Sequence, residues 1–533
     1  MDTASNTVSN TVPAILLGLS IGAFLLLFSA GGRHTLPPGP KQLPFIGNVH
    51  QLPAVDQHKT FAQWGAKYGD VVFAKFFQQP VIILNSAQAA IDLMEKRGAK
   101  YSGRPRFTFQ RELVEWLYAS AWMGCNDVWR QQRKWFQQML MSKSSVESYQ
   151  PLQRREVNRL LLDLLNNPAD FPYHMKRFAT AVILELGYGR TITGLDDDFI
   201  RLVEKGVSEA LSGTGSGPGS GLVDFFPILR FLPSWFPGAG FQKIAASARE
   251  GIRAVEDIPF EQVQREMSDG SAKESFTKDM IEDGQAKGDL SPETLSSMKG
   301  AAGMLYVGGT DTSLTPLVML ILEMALHPEV LKKAQDEISR IVDDTRLPDF
   351  DDRPQLPYVE CVLRELYRYC PSGALGIPHA VIEDDVYRGY HIPKGATVIA
   401  NIWAMMRDPG HYADPEVFRP ERFLEIDLGS DFETWDPKKL VFGFGRRVCP
   451  GADLADNSVW LVIARVIATL DIRKARDETG AEITPNPILH SGTVTHPEPF
   501  LCDIRPRSEK ARRLILDGCI AGGVKDSWAV STN

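Results

Sequence analysis

The run Phe442-Gly443-Phe444-Gly445-Arg446-Arg447-Val448-Cys449-Pro450-Gly451 constrains the fold of this chain more than any other segment. It sets one cysteine between glycines, with Arg447 two residues before it and Pro450 directly after. Gly445 admits backbone conformations closed to residues with a Cβ, and Gly451 lets the chain pass close to a bulky neighbour. Pro450 suits the first turn of a helix, where a missing N–H costs nothing, so the pattern predicts Cys449 near a helix N-terminus. Free N–H groups and the helix dipole there are expected to stabilise a negative sulfur and lower its pKa. A thiolate held beside a cation serves as a metal ligand, a nucleophile or a redox switch. A buried structural cysteine in a glycine-rich turn is the plainer alternative.

The spacing Phe-x-x-Gly-x-Arg-x-Cys-x-Gly resembles the haem-binding loop of the cytochrome P450 family, with all five specified positions matched. That resemblance implies a thiolate haem: Cys449 as axial iron ligand, Arg447 paired with a haem propionate, and Phe442 packed near the ligand. A second element lies in the long apolar stretch from Ala301 to His327, interrupted by Gly308-Gly309-Thr310-Asp311-Thr312-Ser313. Mid-helix glycines cost about 1 kcal/mol each, so they call for a reason such as close approach of a ligand. The segment resembles the family's distal-helix motif, which implies Gly309 at the cofactor and the pair Asp311–Thr312 delivering protons for oxygen activation. A carboxylate open to water and a neighbouring hydroxyl can relay protons on general grounds. A threonine bonded back to its own helix is the plainer reading. Pro316 cannot donate to the Thr312 carbonyl, which is expected to open the helix there and make room for dioxygen and water.

Three further elements follow the family's order. Glu365 and Arg368 share a helical face, and Arg422 lies in Phe418-Arg419-Pro420-Glu421-Arg422-Phe423. The resemblance implies that these three form a buried structural charge network behind the cysteine loop, whereas an exposed i,i+3 pair contributes only tenths of a kcal/mol. Trp129 and Arg133 stand four apart on one helical face. The resemblance implies that they bind a propionate, with His379 reaching the other side. A cationic cradle is needed because two carboxylates enter an apolar pocket. Ala301, Met304, Leu305, Ala374, Leu375 and Ile377 are candidates for lining a substrate pocket. With no fixed charge among them, they point to an apolar substrate. Arg130, Lys134, Lys438, Lys439 and Arg446 could form a basic patch for an acidic electron donor, or simply a solvated face.

The chain has 533 residues, enough for one large domain or several ordinary ones, and carries a net charge of −8, which argues against nucleic acid as a partner. Its six cysteines show no paired spacing, so neither a disulfide framework nor a zinc site is expected. Residues 12–30 are uncharged and apolar, and as a helix they span about 28 Å, close to a bilayer core. The positive residues follow that stretch, which predicts a lumenal residue 1–11 segment, a single transmembrane anchor over 12–30 and a cytosolic bulk. A proline-rich hinge occupies 31–44, the catalytic domain 45–506, and a tail without firm pattern 507–533. The Gly/Ser-rich run 213–221 reads as a flexible loop. The aromatic and proline-rich stretch 222–241 either dips into a membrane surface or packs in the core.

Periodicity predicts a mostly α (α+β) protein: helices over 146–165 and 291–342, strands at 71–76, 81–84 and 397–400, and small scattered sheets. With the resemblance, this implies a P450 fold that binds haem b and takes dioxygen as co-substrate. The implied partners are an NADPH-dependent reductase, with cytochrome b5 as an optional second electron donor, and the endoplasmic reticulum membrane. Residues 235–240 also resemble fungal members that tailor secondary metabolites. A haem-thiolate isomerase or dehydratase working without a reductase is the alternative enzyme, which the intact Asp311–Thr312 pair disfavours. A haem-binding sensor or carrier is the alternative of another class.

Overall fold

In the computed structural model, residues 35–212, 221–425 and 432–524 are described. The expected anchor over 12–30 and nearly all of the Gly/Ser-rich run fall outside them. Ten helices carry the argument: α1 (Asp127–Leu140), α2 (Gln150–Asn166), α3 (Phe171–Tyr188), α4 (Asp198–Ser212), α5 (Gly240–Ser268), α6 (Pro292–Gly309), α7 (Asp311–Leu326), α8 (Pro357–Tyr369), α9 (Ala452–Thr469) and α10 (Glu509–Ala521). The strands that matter here are β1 (Val71–Phe76), β2 (Gln79–Leu84), β3 (His379–Ala380), β4 (Thr397–Ala400), β5 (Leu470–Arg476), β6 (Leu489–Ser491), β7 (Thr495–Pro497) and β8 (Cys502–Pro506).

The largest sheet runs β1-β2-β4-β3, antiparallel between β1 and β2 and parallel between β2 and β4. Pro80 is tolerated in central strand β2 because its only partner is Lys75; pairing with β4 begins at Val81. The remaining strands form small ladders, β8 against β5 and β7 against β6.

Ser291 accepts from the Thr294 N–H, and Pro292 occupies the first helical turn, so the start of α6 is set locally. The apolar rod α6–α7 then crosses the molecule. Ala301, Leu305 and Tyr306 of α6 belong to one core cluster with α3, α4 and α5, whereas Leu317 to Ala325 of α7 belong to another with α2, α8 and α9. The rod is long and apolar enough to cross a membrane, but most of it is buried in protein, which explains how Glu323 is accommodated.

The tail departs from expectation. Residues 509–521 form α10, capped by Ser508, whose hydroxyl accepts from the Ala511 N–H at 3.0 Å. Ala511, Ile515 and Cys519, spaced by four, are its buried stripe, and Asn158 Nδ2 of α2 donates to the Gly518 carbonyl at 2.7 Å. Both the cap and the spacing are present in the sequence; the stripe is too narrow to read as amphipathic without its partner.

Candidate active site

The cysteine loop is a tight turn pressed onto neighbouring backbone. Gly443 and Gly445 both have positive φ, and a Cβ on Gly445 would fall 2.3 Å from the Met94 carbonyl oxygen. No other residue fits there. Gly451, expected to ease a close approach, has an ordinary φ and no described atom within 4 Å of an added Cβ. The Cys449 N–H donates to the Phe442 carbonyl at 2.8 Å, closing the loop, and the Phe442 ring meets Tyr367 of α8 edge-on at 5.7 Å.

The expected lowering of the Cys449 pKa is not found. Burial raises it, and the Gly451 N–H and Arg133 oppose that rise without cancelling it. Helix α9 begins three residues later, at Ala452, so its dipole acts weakly where loss of water acts strongly. The free sulfur is thus held as a thiol, and a coordinated cation is what would keep it anionic.

Around the loop, cations converge. Arg447 donates from Nε to the Ser102 carbonyl at 3.1 Å and from Nη2 to that of Met123 at 2.7 Å, and its guanidinium lies 4.3 Å from the Trp129 ring centre. Arg133, one turn on along α1, donates to the Val448 carbonyl at 2.7 Å. His379 Nδ1 lies 2.7 Å from the Tyr101 carbonyl oxygen. The structure adds Arg104, whose Nη1 reaches the Ile377 and Pro378 carbonyls at 2.8 and 2.6 Å while its buried Nε has no partner. Gly103 and Pro105 mark a turn around it in sequence, but no spacing ties it to Arg447.

This cluster contains no carboxylate. Burial, and then Arg447, depress Arg104; burial, and then Arg104, depress His379. Among the described residues, Arg104, Arg133 and Arg447 make no ion pair. Buried like charges of this kind need an anion. Two carboxylates entering beside a half-buried thiol satisfy that need, so the residues present fit a haem with its propionates.

Behind the loop, Glu365 accepts from Arg368 Nε at 2.7 Å and from Arg422 Nε at 3.1 Å, with all three side chains essentially inaccessible. The remaining donors find backbone: Arg368 reaches the Met406 carbonyl at 3.0 Å and Arg422 that of Val417 at 2.8 Å. The basic patch expected nearby is partly neutralised. Lys438 pairs with Glu360 at 2.6 Å, Lys439 with Glu433 at 2.9 Å, and Arg130 with Asp127.

On the long rod, Met304, Gly308 and Thr312 recur every four residues and retain accessible surface, defining one open face. Gly308, not Gly309, is the glycine on that face. A Cβ at Gly309 would lie 2.4 Å from Ile183 Cδ1, so Gly309 serves the packing of α6 on α3. Ala301 has no accessible surface and Leu305 packs beside Gly187 of α3, so both contact protein. Ile377 joins the cluster of Met304, Leu375 packs against a different cluster, and Ala374 is buried. Thr312 Oγ1 donates to the Gly308 carbonyl at 2.6 Å, the back-bonded arrangement. The Thr312 carbonyl, which Pro316 cannot serve, accepts from Ser372 Oγ at 2.9 Å. Pro316 therefore frees an acceptor that a neighbouring loop takes up, where the sequence suggested open space.

With this geometry in place, the comparisons agree. The profile of the cytochrome P450 family matches residues 37–503. Cytochrome P450 monooxygenase 176 of Postia placenta is 46% identical over 93% of this chain and 96% of its own length. Cytochrome P450 monooxygenase 136 of the same fungus is 47% identical over 94% and 95%. A tryptamine 4-monooxygenase of Psilocybe cyanescens is 36% identical over 90% and 94%. The chain belongs to the cytochrome P450 family and is a P450 monooxygenase.

Proposed function

We propose that this chain is a membrane-anchored haem-thiolate monooxygenase that oxidises an apolar small molecule in fungal secondary metabolism, with electrons from an NADPH-dependent reductase. The observation that carries the cofactor site is the group of three arginines, Arg104, Arg133 and Arg447, with neutral His379 beside them and no carboxylate among them, around the half-buried Cys449. Cys449 would ligate the haem iron through its sulfur. Arg104, Arg447 and Arg133 would bind the propionates, His379 borders them as a neutral ring held by its Nδ1–H on the Tyr101 carbonyl, and the Trp129 ring packs 4.3 Å from the Arg447 guanidinium. Phe442 shields the sulfur from water. Bound haem supplies oxygen activation and transfer of one oxygen atom to the substrate.

The protein's own residues hold the rest. Glu365, Arg368 and Arg422 fix the loop from behind. Asp311 and Thr312 move protons: the Thr312 hydroxyl, which gives its hydrogen to Gly308, can still accept one and pass it on. Met304 and Ile377 border the substrate, and their apolar chemistry supports an apolar ligand.

Membrane contact is supported by surface chemistry. Phe226, Ile228, Phe231 and Trp235 are exposed, the last at 79%. Phe77 contacts the rings of Phe225 and Phe226 at 5.2 and 4.8 Å, and its N–H donates to the Ile46 carbonyl beside exposed Phe45. These side chains make one apolar face rather than a core, as expected for a surface resting on lipid downstream of an anchor. The fungal origin of the relatives supports the metabolic setting.

The test is expression in yeast microsomes with reductase, NADPH and dioxygen, followed by product profiling over a panel of apolar small molecules. An oxidised product dependent on NADPH and reductase is expected. Turnover of a peroxide without reductase would instead indicate an isomerase, and haem binding with no turnover a carrier.

A further inference from the structure

A cleft of about 420 Å³ opens on the side of the α6–α7 rod away from Met304, Gly308 and Thr312. Tyr306, Thr310 and Leu314 form its inner wall, two positions round the helix from the open face, and Asp311, nearer that face, borders it as well. Lys176 of α3 and Glu204 of α4 stand at its rim, paired at 3.0 Å and each about 30% exposed, so the rim meets solvent. The segment from His496 to Phe500 forms the facing wall, and apolar side chains of α3, α4 and α7, Phe171, Val207 and Val318 among them, close the rest. The volume accommodates roughly ten or more waters.

Thr495, the residue before His496, is fixed in this wall from both sides. The Thr495 carbonyl accepts from Thr315 Oγ1 of α7 at 2.7 Å, and the Thr495 N–H donates to the Ser372 carbonyl at 2.8 Å. The backbone next to His496 is therefore tied to the same rod that carries Asp311. Burial lowers the His496 pKa, Asp311 opposes that, and Lys176 reinforces it. Glu204, Tyr306 and Glu498 are the other titratable groups lining the cleft.

We propose that His496 is a proton-supplying residue that acts through Asp311, carrying protons from the solvent-facing rim of this cleft to the rod. The proposal rests on the reading that Asp311 and Thr312 deliver protons during oxygen reduction. In each transfer an imidazolium N–H bond breaks, the proton moves along cleft water to an Asp311 carboxylate oxygen, and the neutral ring regains a proton from hydronium or a buffer acid of bulk solvent at the rim, leaving water or the buffer's conjugate base. No electron moves. Insertion of one oxygen atom with release of the other as water consumes two protons, and the titratable groups along this mostly apolar cleft give them a route separate from the substrate side.

Two measurements on the haem-loaded full chain test this. In the reduced, carbon-monoxide-bound protein labelled at histidine Cε1, the resonance lost in His496→Gln identifies the ring. Its titration is expected to move down by half a pH unit or more in Asp311→Asn and up in Lys176→Met. A titration indifferent to Asp311→Asn overturns the proposal. Oxygen consumption with reductase and NADPH is then followed in H2O and D2O, without added substrate. His496→Gln is expected to slow it three- to tenfold at pH 7.5, raise its solvent isotope effect and keep the melting temperature, while His496→Glu recovers at least half the rate. Unchanged rate and isotope effect in His496→Gln, with Asp311→Asn slowed, would overturn His496 alone. If Asp311→Asn were also unaffected, the reading of Asp311 beneath it would fall as well.

Discussion

The carbonyl of Thr312 accepts from the hydroxyl of Ser372 at 2.9 Å, because Pro316 has no N–H to offer it. A helix irregularity is thus converted into a tie between the distal helix and the loop after α8. That tie continues, since the Ser372 carbonyl accepts from Thr495 and the Thr495 carbonyl from Thr315. Ser372→Ala should cost about 1 kcal/mol, as for an orphaned but partly accessible acceptor. In Pro316→Ala, where an intrahelical donor returns, the same change should cost little. A double-mutant cycle by thermal denaturation checks this; strict additivity would show that the two residues are not coupled.

Glu365 is the one carboxylate shared by Arg368 and Arg422, and all three are buried. Glu365→Ala should leave two guanidinium groups without a counter-charge and destabilise by about 3–5 kcal/mol. Haem content should fall with it. Protein of normal stability and haem content from this variant would contradict a structural role for the network.

Arg104 was legible only in three dimensions. Its Nε lacks a partner and its charge faces Arg447 and His379. Arg104→Gln should accelerate haem loss to an apomyoglobin scavenger by about tenfold or more, the scale of one charge-assisted hydrogen bond. It should also let the His379 pKa rise, because the cation that depresses it is gone. Haem release at the unaltered rate would remove Arg104 from the site.

Asp224 accepts from the Phe109 N–H at 2.9 Å, joining the 222–225 turn to the segment before α1, and burial pushes its pKa up to about 6. The folded state therefore binds this proton more tightly than the unfolded chain. The associated stability is complete below about pH 4 and is lost as pH rises through about 6, by up to about 3 kcal/mol. Asp224→Asn should remove this dependence, so the difference in melting temperature between variant and wild type should grow in favour of the variant from pH 4.5 to 7.5. A constant difference would assign the shift elsewhere.

Elements defined by short-range pattern were readable from sequence. Strands 71–76 and 397–400 fall where β-branched residues predict them, and α8 ends beside Cys370-Pro371. The cysteine loop was readable because Gly445 has one physical reason to be glycine, the backbone 2.3 Å from its absent Cβ. Gly308 and Gly309 were harder to tell apart. Adjacent glycines look alike in sequence, and only the position of Ile183 shows which one serves packing. The Cys449 pKa depends on how much water the fold removes, which no spacing encodes. Arg104 lies more than 340 residues before Arg447, so their mutual repulsion exists only in the folded chain. Helix α10 was hidden because its three-residue stripe has meaning only against α2.

The central claim is that Cys449 ligates haem iron as a thiolate, and the absorption spectrum of the reduced, carbon-monoxide-bound protein tests it most directly. The wild type should show the strongly red-shifted Soret band of thiolate ligation, and Cys449→Ala should lose it. An imidazole-type spectrum from wild-type protein, or a thiolate-type spectrum that survives Cys449→Ala, would contradict the account.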